Sequence, residues 1–212
     1  MTKRWQSRSA GTADLILDTA ERLVQTRGFN AFSYADVSEA LGIRKASLHH
    51  HFATKAALGA ALIGRYRSSF GEALVSIEQG TPDAQQRLER YVELYRSVLR
   101  KRRMCLCGML ASDVDTLPAA MRASVATFFT ENEAWLAGVL EEGRKSGALR
   151  FEGEAASFAR FLVSSLEGAM LVARGGGGTK VFDSVAQHLL AELGRRPARP
   201  RKRRPTASSA AR

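Results

Sequence analysis

The chain has 212 residues, 45% of them hydrophobic and 25% charged, enough for one or two domains with a real core. Its two cysteines, Cys105 and Cys107, make no disulfide framework; no apolar run approaches the roughly 18 residues of a membrane span, and the polar, basic start lacks the apolar segment of a signal peptide, so a cytoplasmic protein without a membrane partner is expected. The formal net charge is +11, with +8 in residues 195–212, +3 in residues 1–58 and zero in residues 59–194, a neutral body with basic ends.

In chain order, residues 1–12 form a basic arm carrying Lys3, Arg4 and Arg8, suited to a DNA minor groove. Thr12 caps a first helix over about 13–27, with Ile16, Ala20, Leu23 and Val24 inward. Ser33 and Asp36 then have the spacing of a capping box. Val37, Ala40 and Leu41 share one face of the short helix that follows, and Gly42 ends it in a left-handed conformation. Ile43 plugs the corner. A second short helix runs from about Lys45 to His51, with Leu48 and Phe52 packed inward. At about 100° per residue, Ala46, Ser47 and His50 point outward, with His49 and His51 on the flanks. Arg44 stands where Ser, Thr, Asp or Asn would cap better. An uncapped start bearing Arg44 and Lys45 makes sense beside a polyanion. Thr54 caps the next helix, and Lys55 sits in its first turn, where the helix dipole disfavours a cation unless a phosphate is near. Three consecutive histidines point about 100° apart and cannot all meet one ion, so no metal site is expected.

This layout, a capped helix, a glycine hinge and a donor-rich second helix, is that of a helix-turn-helix reader. Residues 13–58 resemble the DNA-binding domain of the tetracycline-repressor (TetR/AcrR) family of bacterial regulators. The matching marks are Ala20, Leu23, Gly28-Phe29, Phe32-Ser33, Val37, Ala40-Leu41-Gly42-Ile43, Ser47-Leu48, His50, Phe52 and Thr54-Lys55. His49 stands where a Tyr is usual, and Ala46 where a Gly is usual. The resemblance implies that Ser33, Tyr34, Arg44, Lys45, Ala46, Ser47, His49, His50 and Lys55 face a double-stranded DNA operator.

The body, residues 59–194, reads as helices throughout. A long helix runs from Lys55 to about Gln79. Pro82 opens one over about 83–102 that carries Leu88, Val92, Tyr95 and Leu99. A shorter one follows near 104–112. Pro118 opens another to about Lys145, and the last two cover about 154–173 and 179–193, split by a flexible joint at Gly175–Gly178. With no strand-like alternation the class is all-α: a three-helix N-terminal reader, then a helical ligand-sensing and dimerisation domain. The resemblance implies a four-helix homodimer interface built from residues 154–193 of each subunit. Two readers related by a two-fold axis read a palindrome with half-sites about 34–36 Å apart.

The same resemblance implies a small-molecule inducer bound among the body helices. Met104, Met109, Phe128, Phe129, Trp135, Phe161 and Met170 are candidate pocket residues, and the same residues at helical spacing also suit a plain core. Glu167 and Arg174 are seven apart on one face, with three roles open: pairing with each other's neighbours, crossing the dimer interface, or orienting a ligand. In Lys101-Arg102-Arg103-Met104-Cys105-Leu106-Cys107, neighbouring cations would lower the Cys105 thiol pKa and ready it for oxidants or electrophiles; the alternative is two small buried hydrophobes. The tail, residues 195–212, holds eight basic residues and three prolines and is expected to be disordered; it adds nonspecific phosphate attraction or merely solubility. The function so read is a DNA-binding regulator, most simply a repressor that releases its operator on binding a small molecule or on thiol modification. It is no enzyme and needs no cofactor. A redox-active dithiol enzyme and a nonspecific architectural DNA binder are the alternatives.

Overall fold

A computed structural model describes residues 11–194. The arm expected over 1–12 lies outside it except for its last two residues, and the tail expected over 195–212 lies wholly outside. Every regular element among the described residues is helical. Helices α1 (Thr12–Arg27), α2 (Tyr34–Leu41) and α3 (Lys45–His51) form the N-terminal unit, and α4 (Lys55–Gly80) leads out of it. The body adds α5 (Ala84–Arg100), α6 (Leu106–Ser112), α7 (Ala119–Ser146), α8 (Ala155–Val172) and α9 (Gly178–Gly194). A 3₁₀ turn over Val114–Thr116 follows α6, and a π turn over Ala173–Gly177 joins α8 to α9.

Several helix ends fall a residue or two from expectation, each for a local reason. Thr12 is already helical and Gly11 is the cap. Pro82 stands ahead of α5, because the Asp83 carboxylate accepts from the Gln86 N–H at 2.9 Å and takes the capping position. The helix expected from residue 104 starts at Leu106, since Cys105 is its cap and its Sγ accepts from the Gly108 N–H. Ala40, expected on the buried face of α2, is exposed, and Phe52 is half-buried.

Reader and body share one continuous core. Ile16, Ala20 and Val24 of α1, Val37 of α2 and Leu48 of α3 pack on Leu58, Leu62 and Ile63 of α4, all buried. Each fully buried Leu or Ile there contributes roughly 1.5–3 kcal/mol of transfer free energy. The boundary expected between residues 58 and 59 therefore falls inside α4, in the middle of that packing. Gly59 lets α4 pass closely: a Cβ there would lie 2.5 Å from Met121 Cε of α7 and 2.9 Å from Phe29 Cε2. In the body, Tyr91 and Tyr95 of α5, Phe128 and Leu136 of α7, Leu166 and Met170 of α8 and Phe182 of α9 meet in the centre.

Residues 155–193 are more apolar than the sequence reading allowed. An 18-residue window there reaches a mean hydropathy of 1.3, enough by length and composition alone to cross a membrane. The stretch is broken at Gly176, whose φ of 140° is non-helical, and one side of it packs into the bundle. The joint expected at the four glycines is thus a defined π turn. The other side of α8 leaves Phe161, Leu171 and Val172 more than half exposed.

Candidate nucleic-acid interface and sensor site

The turn between α2 and α3 is set by local chemistry. Ser33 and Asp36 form the capping box, in which the Asp36 carboxylate accepts from the Ser33 backbone N–H at 2.7 Å and from the Ser33 hydroxyl at 2.6 Å. Those bonds and nearby Arg27 hold the Asp36 carboxyl below its ordinary value. Gly42 takes φ 66° and ψ 26°, the left-handed geometry a Cβ disfavours, while its N–H and that of Ile43 reach back to Glu39 and Ser38. The chain then enters α3 with Arg44 as a cap that offers no side-chain bond. The first N–H groups of α3 are left to solvent or to an anion.

Arg44, Lys45, Ala46, His49 and His50 are exposed, as is Ser33, and Ser47 is half-exposed. Tyr34 is half-buried: its hydroxyl donates to the Phe52 carbonyl at 2.7 Å, and its ring lies 4.9 Å from that of His49. His49 Nδ1 lies 3.1 Å from the Ala53 carbonyl. Tyr34 and His49 thus bind α2 to the end of α3 while showing their edges outward. Lys55 behaves differently from the other eight. Its ammonium donates to the Phe32 carbonyl at 2.5 Å and lies 4.7 and 4.4 Å from the rings of Phe29 and Phe32. Partial burial lowers its pKa. The cation placed against the dipole is stabilised from within the protein. Among the described residues no group of three His, Cys, Asp or Glu is placed to hold a metal ion.

The body holds an aromatic cluster. Phe128 lies 5.5 Å from Tyr66 and 5.2 Å from Phe70, and Tyr91 lies 5.4 Å from Tyr95 and 5.7 Å from Trp135. Phe129 packs on Phe128 at its rim. Tyr66, Phe70 and Tyr91 went unnoticed in the sequence; their i, i+4 pairing with one another or with Tyr95 on α4 and α5 is the signal that could have found them. Tyr66, Phe70, Tyr95, Cys105 and Met170 are among the residues enclosing a cavity of about 10 Å³, room for about one water. Phe161 does not belong to this interior. It stands 52% exposed on the outer face of α8, so its assignment to a pocket is corrected.

Cys105 is buried and uncrosslinked, as is Cys107. The thiol chemistry is the reverse of the expected kind. Burial first, then the Glu167 carboxylate, pushes the Cys105 pKa well up, and burial does the same for Cys107. The cations that precede them in sequence stand elsewhere: Lys101 and Arg102 are exposed, and Arg102 takes φ 56°, turning the chain away from α6. Glu167 is the polar group that does face the thiol. The residue as a whole is half-buried, yet its carboxylate is enclosed against Gly108, and Oε1 has no hydrogen-bond partner. Burial raises the carboxyl from 4.5 to about 7, offset in part by the bond from Cys105. Tyr66 Oη stands 3.8 Å from Cys105 Sγ.

Helix α6 is fastened to the reader at both ends. The Met104 N–H donates to the Gln25 carbonyl at 3.1 Å. The Asp113 carboxylate accepts from the Phe29 N–H at 2.8 Å, and Asn30 donates to Thr116 Oγ1 at 2.8 Å. Arg174 adds a third tie: it donates to the Thr26 carbonyl at 2.7 Å and lies 3.0 Å from Met109 Sδ. Among the described residues Arg174 thus forms no ion pair with Glu167.

Comparison with known proteins agrees with this arrangement. Residues 16–62 match the model described as bacterial regulatory proteins, tetR family, and residues 84–189 match the tetracyclin repressor-like C-terminal domain. The chain is 28% identical over 170 residues to the HTH-type transcriptional repressor NemR of Escherichia coli, covering 77% of this chain and 84% of that one. A crystal structure of a TetR-family transcriptional regulator from Agrobacterium tumefaciens superposes with a TM-score of 0.83 at 33% identity, covering 86% of this chain and 97% of that one. The reduced form of E. coli NemR superposes with a TM-score of 0.75 at 25% identity, covering 86% of this chain and 97% of that one.

Proposed function

The chain belongs to the tetR family of bacterial regulatory proteins, and from that premise we propose that it is a homodimeric repressor whose α3 reads a palindromic operator and whose body governs release. It is a DNA-binding transcriptional regulator and not an enzyme, as its relatives are transcriptional repressors. The observation that carries the reading is the Ser33–Gly42–Arg44 geometry, which presents α3 with an uncapped, cationic start. Arg44, Lys45, Ala46, Ser47 and His50 meet base edges and phosphates. Ser33 and the edges of Tyr34 and His49 flank them. Lys55 serves the interface by holding the α1–α2 loop. The α8–α9 face bearing Phe161, Leu171 and Val172 pairs with its copy, which removes an apolar surface from water and sets two readers one helical turn apart.

The signal reaches α6. A peroxide entering beside the aromatic cluster meets Cys105 Sγ. Where Glu167 is ionised, above about pH 7, it takes the thiol proton as the sulfur attacks one peroxide oxygen, so no free thiolate need form; the O–O bond breaks, and water leaves once protonated. The sulfur is oxidised to a sulfenic acid and the peroxide is reduced. The added oxygen takes up the room for about one water beside Sγ and sets a polar group against Phe70, Val98 and Met170, so α6 shifts and disturbs its ties to Gln25, Thr26 and Phe29. A coupling of about 1–3 kcal/mol lowers DNA affinity roughly 5- to 150-fold. That a relative has been solved in a form described as reduced supports this route.

The test is selection of bound sequences from a random DNA pool, with the chain native and peroxide-treated. A short palindrome recovered only from native protein is expected. Uniform recovery would favour an architectural binder. A Cys105→Ser chain that still drops the palindrome on oxidation would remove the thiol from the mechanism while leaving the DNA reading intact.

A further inference from the structure

A cleft of about 390 Å³ opens where the end of α5, the start of α6 and the π turn meet, a volume within the range of small-molecule sites. Four of its lining residues are Arg100, Arg102, Arg103 and Arg174, and no acidic residue lines it. Residues 59–194 carry no net charge, so this is a local concentration of cations in a neutral body. Arg100 is paired with Glu93 at 2.7 Å, and Arg174 rests on the neutral Thr26 carbonyl and Met109 sulfur. Arg102 and Arg103 form no ion pair with any described residue.

Three further features fit an anion with an apolar part. Leu99, Met104 and Ala173 supply an apolar floor below the guanidinium groups. Gly178 and Thr179 open α9 at the cleft's edge; the Gly178 N–H bonds the Ala173 carbonyl, and the positive end of the α9 dipole favours negative charge there. Arg102 is the one non-glycine residue of positive φ among the described residues. It ends α5 at a position where glycine would be free of strain, and strain of this kind gathers at ligand sites. The Lys-Arg-Arg run that fails to face the thiols thus faces this cleft through its two arginines.

We propose that this cleft binds a small amphipathic anion, a carboxylate or phosphate ester bearing a short hydrocarbon chain. The guanidinium groups grip the anionic head in the planar, two-pronged manner that suits both oxyanions, and the chain lies on Leu99 and Met104. The bound head competes with the Thr26 carbonyl for Arg174. Occupancy therefore loosens one of the ties between body and reader, by a route independent of Cys105.

The experiment is titration calorimetry on the full-length chain with octanoate, octyl phosphate, octanol and inorganic phosphate. Octanoate or octyl phosphate is expected to bind at least tenfold more tightly than octanol and than inorganic phosphate, and the tighter of the two names the head group. Arg103→Gln should weaken that binding at least tenfold and Arg103→Lys less, both with unchanged operator affinity in the absence of ligand. Cys105→Ser should bind octanoate as the native chain does, which separates this site from the thiol route. Equal binding of octanol and octanoate, or undiminished binding by the Arg102→Gln/Arg103→Gln chain, overturns the proposal.

Discussion

Replacing Glu167 by Gln isolates the cost of an enclosed carboxylate. Its carboxyl is raised from 4.5 to about 7 in the folded chain. The groups facing it are Cys105 and Cys107 of α6, Tyr66 of α4 and, farther off, Tyr91 and Tyr95 of α5, and no cation stands among them. Between those two values the folded chain keeps a proton that the unfolded chain releases, so stability falls as pH rises. The contribution is complete below 4.5 and is lost as pH passes about 7. At about 1.4 kcal/mol per pH step, the loss between pH 5 and pH 8 comes to about 2.5 kcal/mol. For a chain of this size, that is a fall in Tm of roughly 5–10 °C. Thermal unfolding followed by circular dichroism at both pH values should show the native chain losing that much more than Glu167→Gln. If the two lose the same amount, the carboxylate is not enclosed in the way described.

Four other outcomes follow from the geometry. Lys45→Gln should flatten the salt dependence of operator binding by about two in the log–log slope, one contact from each subunit. Lys55→Gln, its ammonium already used on Phe32, should lower Tm and leave that slope nearly unchanged. Leu171→Asp on the exposed face of α8 should give a monomer by sedimentation and lose operator affinity. Gly108→Ala would drive a methyl into Glu167 Oε2 and should cost about 1–3 kcal/mol in denaturant unfolding.

The reader was legible because its determinants are local. Ser33, Asp36, Gly42 and Thr54 act on residues one to four positions away, so their spacing in sequence is their spacing in space. The helical order of the body was legible for the same reason. The sensor was not. Arg102 and Cys105 are three residues apart, yet the left-handed turn at Arg102 sends the arginines to one cleft and the thiol to another. Glu167 meets Cys105 only because α8 crosses α6 at Gly108, a contact no window of sequence contains. Phe161 looked like core because the exposed apolar face of α8 has the same periodicity as one buried within the chain.

The suspension of the reader has a mechanical consequence. It hangs from two mounts, α4 on one side through Leu58, Leu62 and the Lys55–Phe32 contact, and α6 on the other through Asp113, Met104 and, by way of Arg174, the π turn. With one mount, any slide in the body would carry the reader bodily and leave its aim unchanged. With two, a slide of α6 relative to α4 becomes a tilt of the reader, and α3 turns with it. Under the proposed release mechanism, a small internal misfit would thereby become a change of direction without remaking any helix. It can do so from either hydrogen-bonded corner of the second mount.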